Sequence, residues 1–117
     1  MKILVMDDTR KRRNLLKEEI TKKGHEVLEC FTSNEFMNKI GENKAELILL
    51  DSDTWKKGKS IYSYFKIAKK MENIPVIYYN SEDDSMAIQD RSGNERDLVL
   101  SKPTEIEAII DRVQRKI

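Results

Sequence analysis

The sequence predicts a doubly wound α/β fold, with a five-stranded parallel sheet in the order 2-1-3-4-5 and helices on both faces. Three observations predict it. Short apolar runs alternate with segments of helical period, the pattern of strands buried on both sides by crossover helices. Gly24, Gly41 and Pro75 stand where one element should give way to the next. Finally, the apolar runs end in charged residues. Ile3-Leu4-Val5-Met6 runs into Asp7-Asp8, Leu47-Ile48-Leu49-Leu50 into Asp51-Ser52-Asp53, and Leu98-Val99-Leu100 into Ser101-Lys102-Pro103. In open α/β sheets, ligands bind outside the carboxyl ends of the strands, at the switch point of the winding. In this order that point lies between the first and third strands.

Residues 2–6 read as the first strand. Thr9 can cap a helix over roughly 10–23, with Leu15, Leu16, Glu19 and Ile20 near one face. Gly24 stops it, because a left-handed residue is least strained as glycine. A second strand over 26–30 follows, then a short helix capped by Ser33, without a full capping box, and ended by Gly41. The third strand, 46–50, is the most continuous apolar run. A helix is expected near 60–72, where Ile61, Tyr64, Phe65 and Ala68 recur at helical spacing. Pro75 cannot sit inside that helix and opens the fourth strand, 76–79. Residues 81–92 are polar apart from Met86, Ala87 and Ile88, so the fourth helix should be short and weakly anchored. The fifth strand is 97–101. Thr104 is expected to cap a last helix that carries Ile106, Ile109, Ile110 and Val113 on one face.

The 117 residues suffice for one domain spanning 1–117, and the composition, 37 % charged and 38 % hydrophobic, is that of a folded soluble chain. A net charge of +1 gives no global field toward nucleic acid or membrane. The basic stretch Lys56-Lys57-Gly58-Lys59 reads as a solvated loop. No stretch approaches the ~20 apolar residues of a membrane span, and the N-terminus turns acidic too early for a signal peptide. A cytoplasmic location is the expectation. Cys30 is the single cysteine and His25 the single histidine. Neither a zinc site nor a Ser-His-Asp triad is expected. Cys30 reads as a small core residue.

The charged strand ends carry the chemistry. Carboxylates held within a few ångströms repel each other, and a cation resolves the repulsion. Mg2+ takes oxygen ligands and keeps several waters. Asp8 and Asp51 can supply two oxygens and the backbone carbonyl of Asp53 a third, with Asp7 beside them. Asp51, at the end of the central strand, is the candidate nucleophile toward a phosphoryl group, giving an acyl phosphate. Lys102 would neutralise a phosphoryl oxygen. Acidic residues are common turn formers, so any one of these positions alone would say little. Their coincidence at three strand ends is what points to a shared site.

These residues resemble the receiver domain of two-component response regulators, and the resemblance covers the whole chain. Its motifs are Asp7-Asp8 after the first strand, Asp51 after the third and Lys102-Pro103 after the fifth. The resemblance implies a flavodoxin-like fold and a metal pocket formed by Asp7 and Asp8. It also implies phosphorylation of Asp51 by a histidine kinase or phosphotransfer protein, contact of Lys102 with the phosphoryl group, and a cis bond at Pro103. It places the output partner on the face formed by the fourth helix, fifth strand and last helix. Output by protein contact, with no nucleic acid or membrane partner for this domain, is the expectation, and no enzyme activity beyond self-phosphorylation and autodephosphorylation.

The chain departs from the family pattern at three places. Asn80 stands where the family has a Thr or Ser that hydrogen-bonds the phosphoryl group. Its amide has fixed donors where a hydroxyl rotates, and a one-residue shift would let Ser81 serve instead. Val99 stands at the switch position, where the family has Tyr or Phe. Tyr78 and Tyr79 are the candidate substitutes. The loop after Asp51 lacks the usual proline, and Glu82, Asp83 and Asp84 add negative charge across the site. A pseudo-receiver that binds its partner irrespective of phosphorylation is therefore the alternative. Asp51-Ser52-Asp53-Thr54 also resembles the D-x-D-x-T motif of haloacid-dehalogenase-like phosphatases, with Asp51 as nucleophile and Asp53 as acid/base. That family puts the motif on its first strand, and here it follows the third. A flavin-nucleotide site would need a Ser/Thr/Gly-rich loop after the first strand. Thr9-Arg10-Lys11-Arg12-Arg13 is instead a charged helix start.

Overall fold

In the computed structural model, which describes residues 1–42, 45–54, 74–81 and 98–116, the apolar runs become five strands of one sheet. These are β1 (Lys2–Met6), β2 (Glu26–Cys30), β3 (Leu47–Asp51), β4 (Val76–Ser81) and β5 (Leu98–Ser101). The order is β2-β1-β3-β4-β5, as expected, and every pairing is parallel. Among the described residues there are three long helices: α1 (Arg10–Lys22), α2 (Ser33–Glu42) and α3 (Ile106–Lys116). The helices expected near 60–72 and 81–92 lie outside the described residues.

Period-2 alternation divides the core in two. Leu4, Met6, Ile48, Leu50 and Tyr78 face one side and pack with Phe36 and Ile40 of α2. Ile3, Val5, Leu47, Leu49, Ile77 and Tyr79 face the other and pack with Leu16 and Ile20 of α1 and Ile109 and Val113 of α3. Each such aliphatic side chain, fully buried, is worth about 1.5–3 kcal/mol, so the two layers hold β1 and β3 rigidly at the centre. Cys30 is a buried core residue, as read from the sequence. Leu15 sits at the margin of its expected face, 39 % exposed.

The caps differ from expectation. Thr9 is the N-cap of α1 by its backbone, but its hydroxyl makes no capping bond. Ser33 is not the cap of α2: it is already helical, and the Thr32 hydroxyl accepts from the Glu35 N–H at 3.2 Å. The pair Thr32/Glu35 has the spacing of a capping box, with Glu35 Oε1 accepting from the Phe31 N–H at 3.3 Å. Thr104 is not the cap of α3. The helix starts at Ile106, and Thr104 is engaged by the sheet instead. Gly24 follows the C-cap Lys23 of α1 and has φ 90°, as expected of a stop, whereas Gly41 does not end α2, which runs on to Glu42.

Strand ends extend further than the apolar runs. Asp51 is the last residue of β3 rather than a loop residue, and β4 continues through Asn80 and Ser81. Between the pairs Tyr78↔Val99 and Ser81↔Ser101, β4 carries one more residue than β5. This is a β-bulge, and Asn80 within it has φ 53°. Asn tolerates the left-handed region better than most residues.

Candidate functional site

The carboxyl ends of β1 and β3 lie side by side. Asp7 and Asp51 are both fully buried, and Asp8 is exposed beside them. One carboxylate oxygen from each of the three lies within 4.8 Å of the others, a grouping that could hold a metal ion. The common acidic hollow expected from the sequence is therefore present.

Asp51 ends its strand as the cap of a helical turn formed by Ser52, Asp53 and Thr54. The Thr54 N–H donates to Asp51 Oδ2 at 3.2 Å, an N-cap bond to the third residue of the turn. The Thr54 hydroxyl donates to the same oxygen at 2.6 Å and accepts from the Asp8 N–H at 3.0 Å. One hydroxyl thus ties the tip of β1 to the tip of β3. Asp51 Oδ1 accepts from Asn80 Nδ2 at 3.3 Å. Burial raises the Asp51 pKa above the ordinary carboxylate value, and the bond from Thr54 works against that rise; nearby Asp7 adds to it.

A cation is already among these carboxylates. Arg12, in the first turn of α1, donates from Nε to Asp7 Oδ2 at 2.6 Å and from Nη2 to Asp7 Oδ1 at 2.9 Å, a bidentate fork. The same Nη2 is 3.1 Å from Asp51 Oδ2. The hydrogen bonds to Asp7 hold the guanidinium pKa above its ordinary value, so it is charged throughout. Arg13 braces the arrangement from the back, donating to the Asp7 backbone carbonyl at 2.9 Å, pairing with Glu29 and lying over the Phe31 ring at 3.9 Å.

From β4, the Tyr79 hydroxyl donates to Asp7 Oδ2 at 2.6 Å. The phenol is buried, and desolvation, then Asp7, pushes its pKa well above 10.0. Its ring lies 5.6 Å from the Arg12 guanidinium carbon. Asn80 forms a reciprocal pair with Thr104: the Asn80 N–H donates to Thr104 Oγ1 at 2.8 Å, and the Thr104 N–H donates to Asn80 Oδ1 at 2.9 Å. The Thr104 hydroxyl also donates to the Ser101 carbonyl at 2.9 Å. This network pins the end of β4 to the segment after β5. The Lys102–Pro103 bond is cis, as the resemblance implies.

Of the residues singled out in the sequence, Asp7, Asp8 and Asp51 come together at the strand tips, and Asn80 reaches Asp51. Lys102 is at the rim of the site, with Nζ 3.1 Å from the Asp53 carboxylate. Asp53 thus presents its side chain to the lysine. Val99 is paired with Tyr78 across the sheet and Ser81 with Ser101. Of the two tyrosines, Tyr79 enters the site and Tyr78 packs in the opposite layer. Glu82, Asp83, Asp84 and the basic stretch at 56–59 lie outside the described residues. Sequence reasoning assigned Arg12 no role in the site, offered Thr54 only within the D-x-D-x-T motif, and offered Tyr79 only as a substitute for the switch aromatic, whereas all three contact Asp7 or Asp51. The available signals were a cation in a helix's first turn, where the dipole disfavours it, and a Thr three residues after a candidate cap.

Fold and site define a small α/β protein whose central strand tips gather carboxylates, with a lysine and a cis proline at the tip of the last strand. The chain matches the family model described as the response regulator receiver domain over residues 3–114 and belongs to that family. It is similar to a two-component response regulator from Clostridium difficile, at 27 % identity and TM-score 0.72, covering 98 % of this chain and 93 % of that one. It is also similar in fold to the receiver domain of the hybrid histidine kinase CckA, at 18 % identity and TM-score 0.72, covering 99 % and 98 %. A third relative in fold is a response regulator protein from Burkholderia pseudomallei with a phosphorylated aspartic acid, calcium ion and citrate, at 20 % identity and TM-score 0.67, covering 98 % and 71 %. No curated protein sequence matches the chain. No helix among the described residues is long and apolar enough to cross a membrane.

Proposed function

We propose that the chain accepts a phosphoryl group on Asp51 and signals by protein contact, without turning over a substrate as an enzyme. The observation that carries this reading is the trio Asp7, Asp8 and Asp51, with ligand oxygens within 4.8 Å of one another at the tips of β1 and β3. All-oxygen, partly exposed donors suit Mg2+. Asp7, Asp8 and Asp51, with the Asp53 backbone carbonyl, would hold it, and when bound it supplies positive charge against the incoming phosphoryl oxygens. Asp51 forms the bond to phosphorus through a carboxylate oxygen. The bond from phosphorus to the donor, a phosphohistidine nitrogen of a kinase or phosphotransfer protein or the oxygen of a small acyl phosphate, breaks as it forms. In this reading the Asn80 amide, which reaches Asp51, and Lys102, at the rim, would donate to phosphoryl oxygens, with Ser81 the alternative to Asn80. A phosphorylated aspartate with a calcium ion in the Burkholderia pseudomallei relative supports the same chemistry here.

A second reading, the pseudo-receiver, is favoured by one observation. Asp51 is fully buried, and its oxygens are already engaged by Thr54, Asn80 and Arg12. In that version Val99 and the sealed pocket leave a protein-binding module whose partner ignores phosphorylation. The phosphatase reading of Asp51/Asp53 has no support, since Asp53 is held by Lys102 and the motif lies on the third strand. The deciding measurement is intact-mass spectrometry after incubation with acetyl phosphate and Mg2+. Phosphoryl acceptance gives one added phosphoryl group on the wild type and none on Asp51→Asn. An unlabelled wild type establishes the pseudo-receiver. The output surface we assign to the fourth helix, β5 and α3, and the protein to the cytoplasm.

A further inference from the structure

The cation that resolves the repulsion among these carboxylates in this structure belongs to the chain itself. We propose that Arg12 is a tethered competitor of the divalent ion, so that the pocket holds either the guanidinium or the metal. The inference rests on the metal-site reading above and goes beyond it in assigning the ion a rival.

Three observations carry it. First, Arg12 uses the ligand atoms themselves. Its fork covers both oxygens of Asp7, at 2.6 and 2.9 Å, and Nη2 reaches Asp51 Oδ2 at 3.1 Å. An ion bound to Asp7 and Asp51 at the ~2.1 Å that Mg2+ demands would lie in contact with the guanidinium, and two cations so close repel strongly at low dielectric. Second, the helix gives Arg12 little reason to stay. The first turn of α1 has no acidic residue and begins Arg10-Lys11-Arg12-Arg13, with positive charge at the positive end of the dipole. The carboxylates hold the guanidinium there. Third, leaving is sterically open and has a compensation. The Arg12 side chain is 23 % exposed. Its Nη2 donates to the Thr9 hydroxyl at 3.2 Å, and that hydroxyl makes no capping bond. Once Arg12 swings out, Thr9 is free to cap α1. Entry of the ion and completion of the cap are therefore one exchange.

The consequence is a raised threshold for metal. The affinity of the wild type for Mg2+ is lowered by the need to displace Arg12, and truncating that side chain removes the competition. The test is calorimetric titration of the metal-free protein with Mg2+, on wild type, Arg12→Ala and Lys11→Ala. Lys11 is exposed, one residue away, and its truncation makes the same change in net charge. We expect Arg12→Ala to bind Mg2+ at least about tenfold more tightly than wild type, and Lys11→Ala to stay within about threefold, the screened effect of one exposed charge. A second readout needs no variant. The Arg12 Nε–H resonance, protected in chelator, is lost to solvent exchange as Mg2+ saturates the wild type. Equal affinities in Arg12→Ala and Lys11→Ala overturn the competition while leaving the metal site standing. So does an Arg12 Nε–H that stays protected at saturation. Absence of Mg2+ binding in all three proteins overturns the metal-site reading and the competition with it.

Discussion

Replacing Tyr79 by Phe removes one atom from the site and nothing from the core. The hydroxyl donates to Asp7 Oδ2 at 2.6 Å from a fully buried position, and the ring keeps its place among Ile77, Ile109 and Val113. A hydrogen bond to a charged group contributes roughly 1.5–3 kcal/mol. Asp7 Oδ2 keeps its bond from Arg12 Nε, so the carboxylate is not stranded and the loss falls at the lower end, about 1.5 kcal/mol. With an unfolding entropy of roughly 2.1 cal/mol/K per residue, the 117 residues give a drop in Tm of about 6 °C. The assay is thermal unfolding followed by circular dichroism in chelator, on wild type, Tyr79→Phe, Asp7→Asn and the double variant. Groups in direct contact couple by about 0.5–3 kcal/mol, so the double variant should be less destabilised than the sum of the two single ones. A Tm within about 1 °C of wild type for Tyr79→Phe, where a real bond predicts several degrees, refutes the assigned contact. Strict additivity in the cycle refutes it equally.

Two further outcomes follow from the same network. Thr104→Val removes both hydroxyl bonds that link Asn80 and Ser101 to the segment after β5; it should cost about 1–3 kcal/mol and expose the Asn80 amide to hydrogen exchange, and an unchanged exchange rate there would contradict the pairing. The raised Asp51 pKa means that the folded state holds a proton the unfolded state has already released. The proton counts make stability fall with rising pH in that window: the contribution of Asp51 is present below its ordinary value of 3.8 and is lost as pH rises through its folded value. In urea titrations without metal, the stability of wild type relative to Asp51→Asn should therefore decline from acid toward neutral pH, and a difference that grows instead would reverse the sign assigned to burial.

The fold was legible because buried parallel strands leave a plain trace. Ile3 to Met6 and Leu47 to Leu50 are apolar without interruption, since both faces of β1 and β3 are covered. The carboxylates were legible because a charged residue directly after such a run must lie at a strand tip. Arg12 was not, because in one dimension it is one of four consecutive cations, and nothing local separates Arg12 and Arg13, which fold back onto Asp7, from Arg10 and Lys11, which face water. The partner of Arg12 on β3, Asp51, is 39 residues away in sequence. Tyr79 was ambiguous for another reason. An aromatic residue in a strand packs whatever its tip does, and only the register beside Asp51 shows that the hydroxyl reaches Asp7. The caps at Ser33 and Thr104 were misplaced because Thr32, one residue earlier, caps α2, and because the Thr104 hydroxyl is engaged by the Asn80 N–H and the Ser101 carbonyl.

The reciprocal pair between Asn80 and Thr104 fixes which way round the amide sits. The Thr104 N–H can be met only by the oxygen of the amide, so the nitrogen is left facing Asp51. A threonine at this point could present either a proton or a lone pair and could turn between the two. Asn80 has no such choice while Thr104 holds it, and whatever anion sits on Asp51 meets the same polarity before and after it arrives. The tip of β4 is in this sense a one-way fitting: as long as Thr104 keeps the amide oxygen, Asn80 can offer Asp51 only donors.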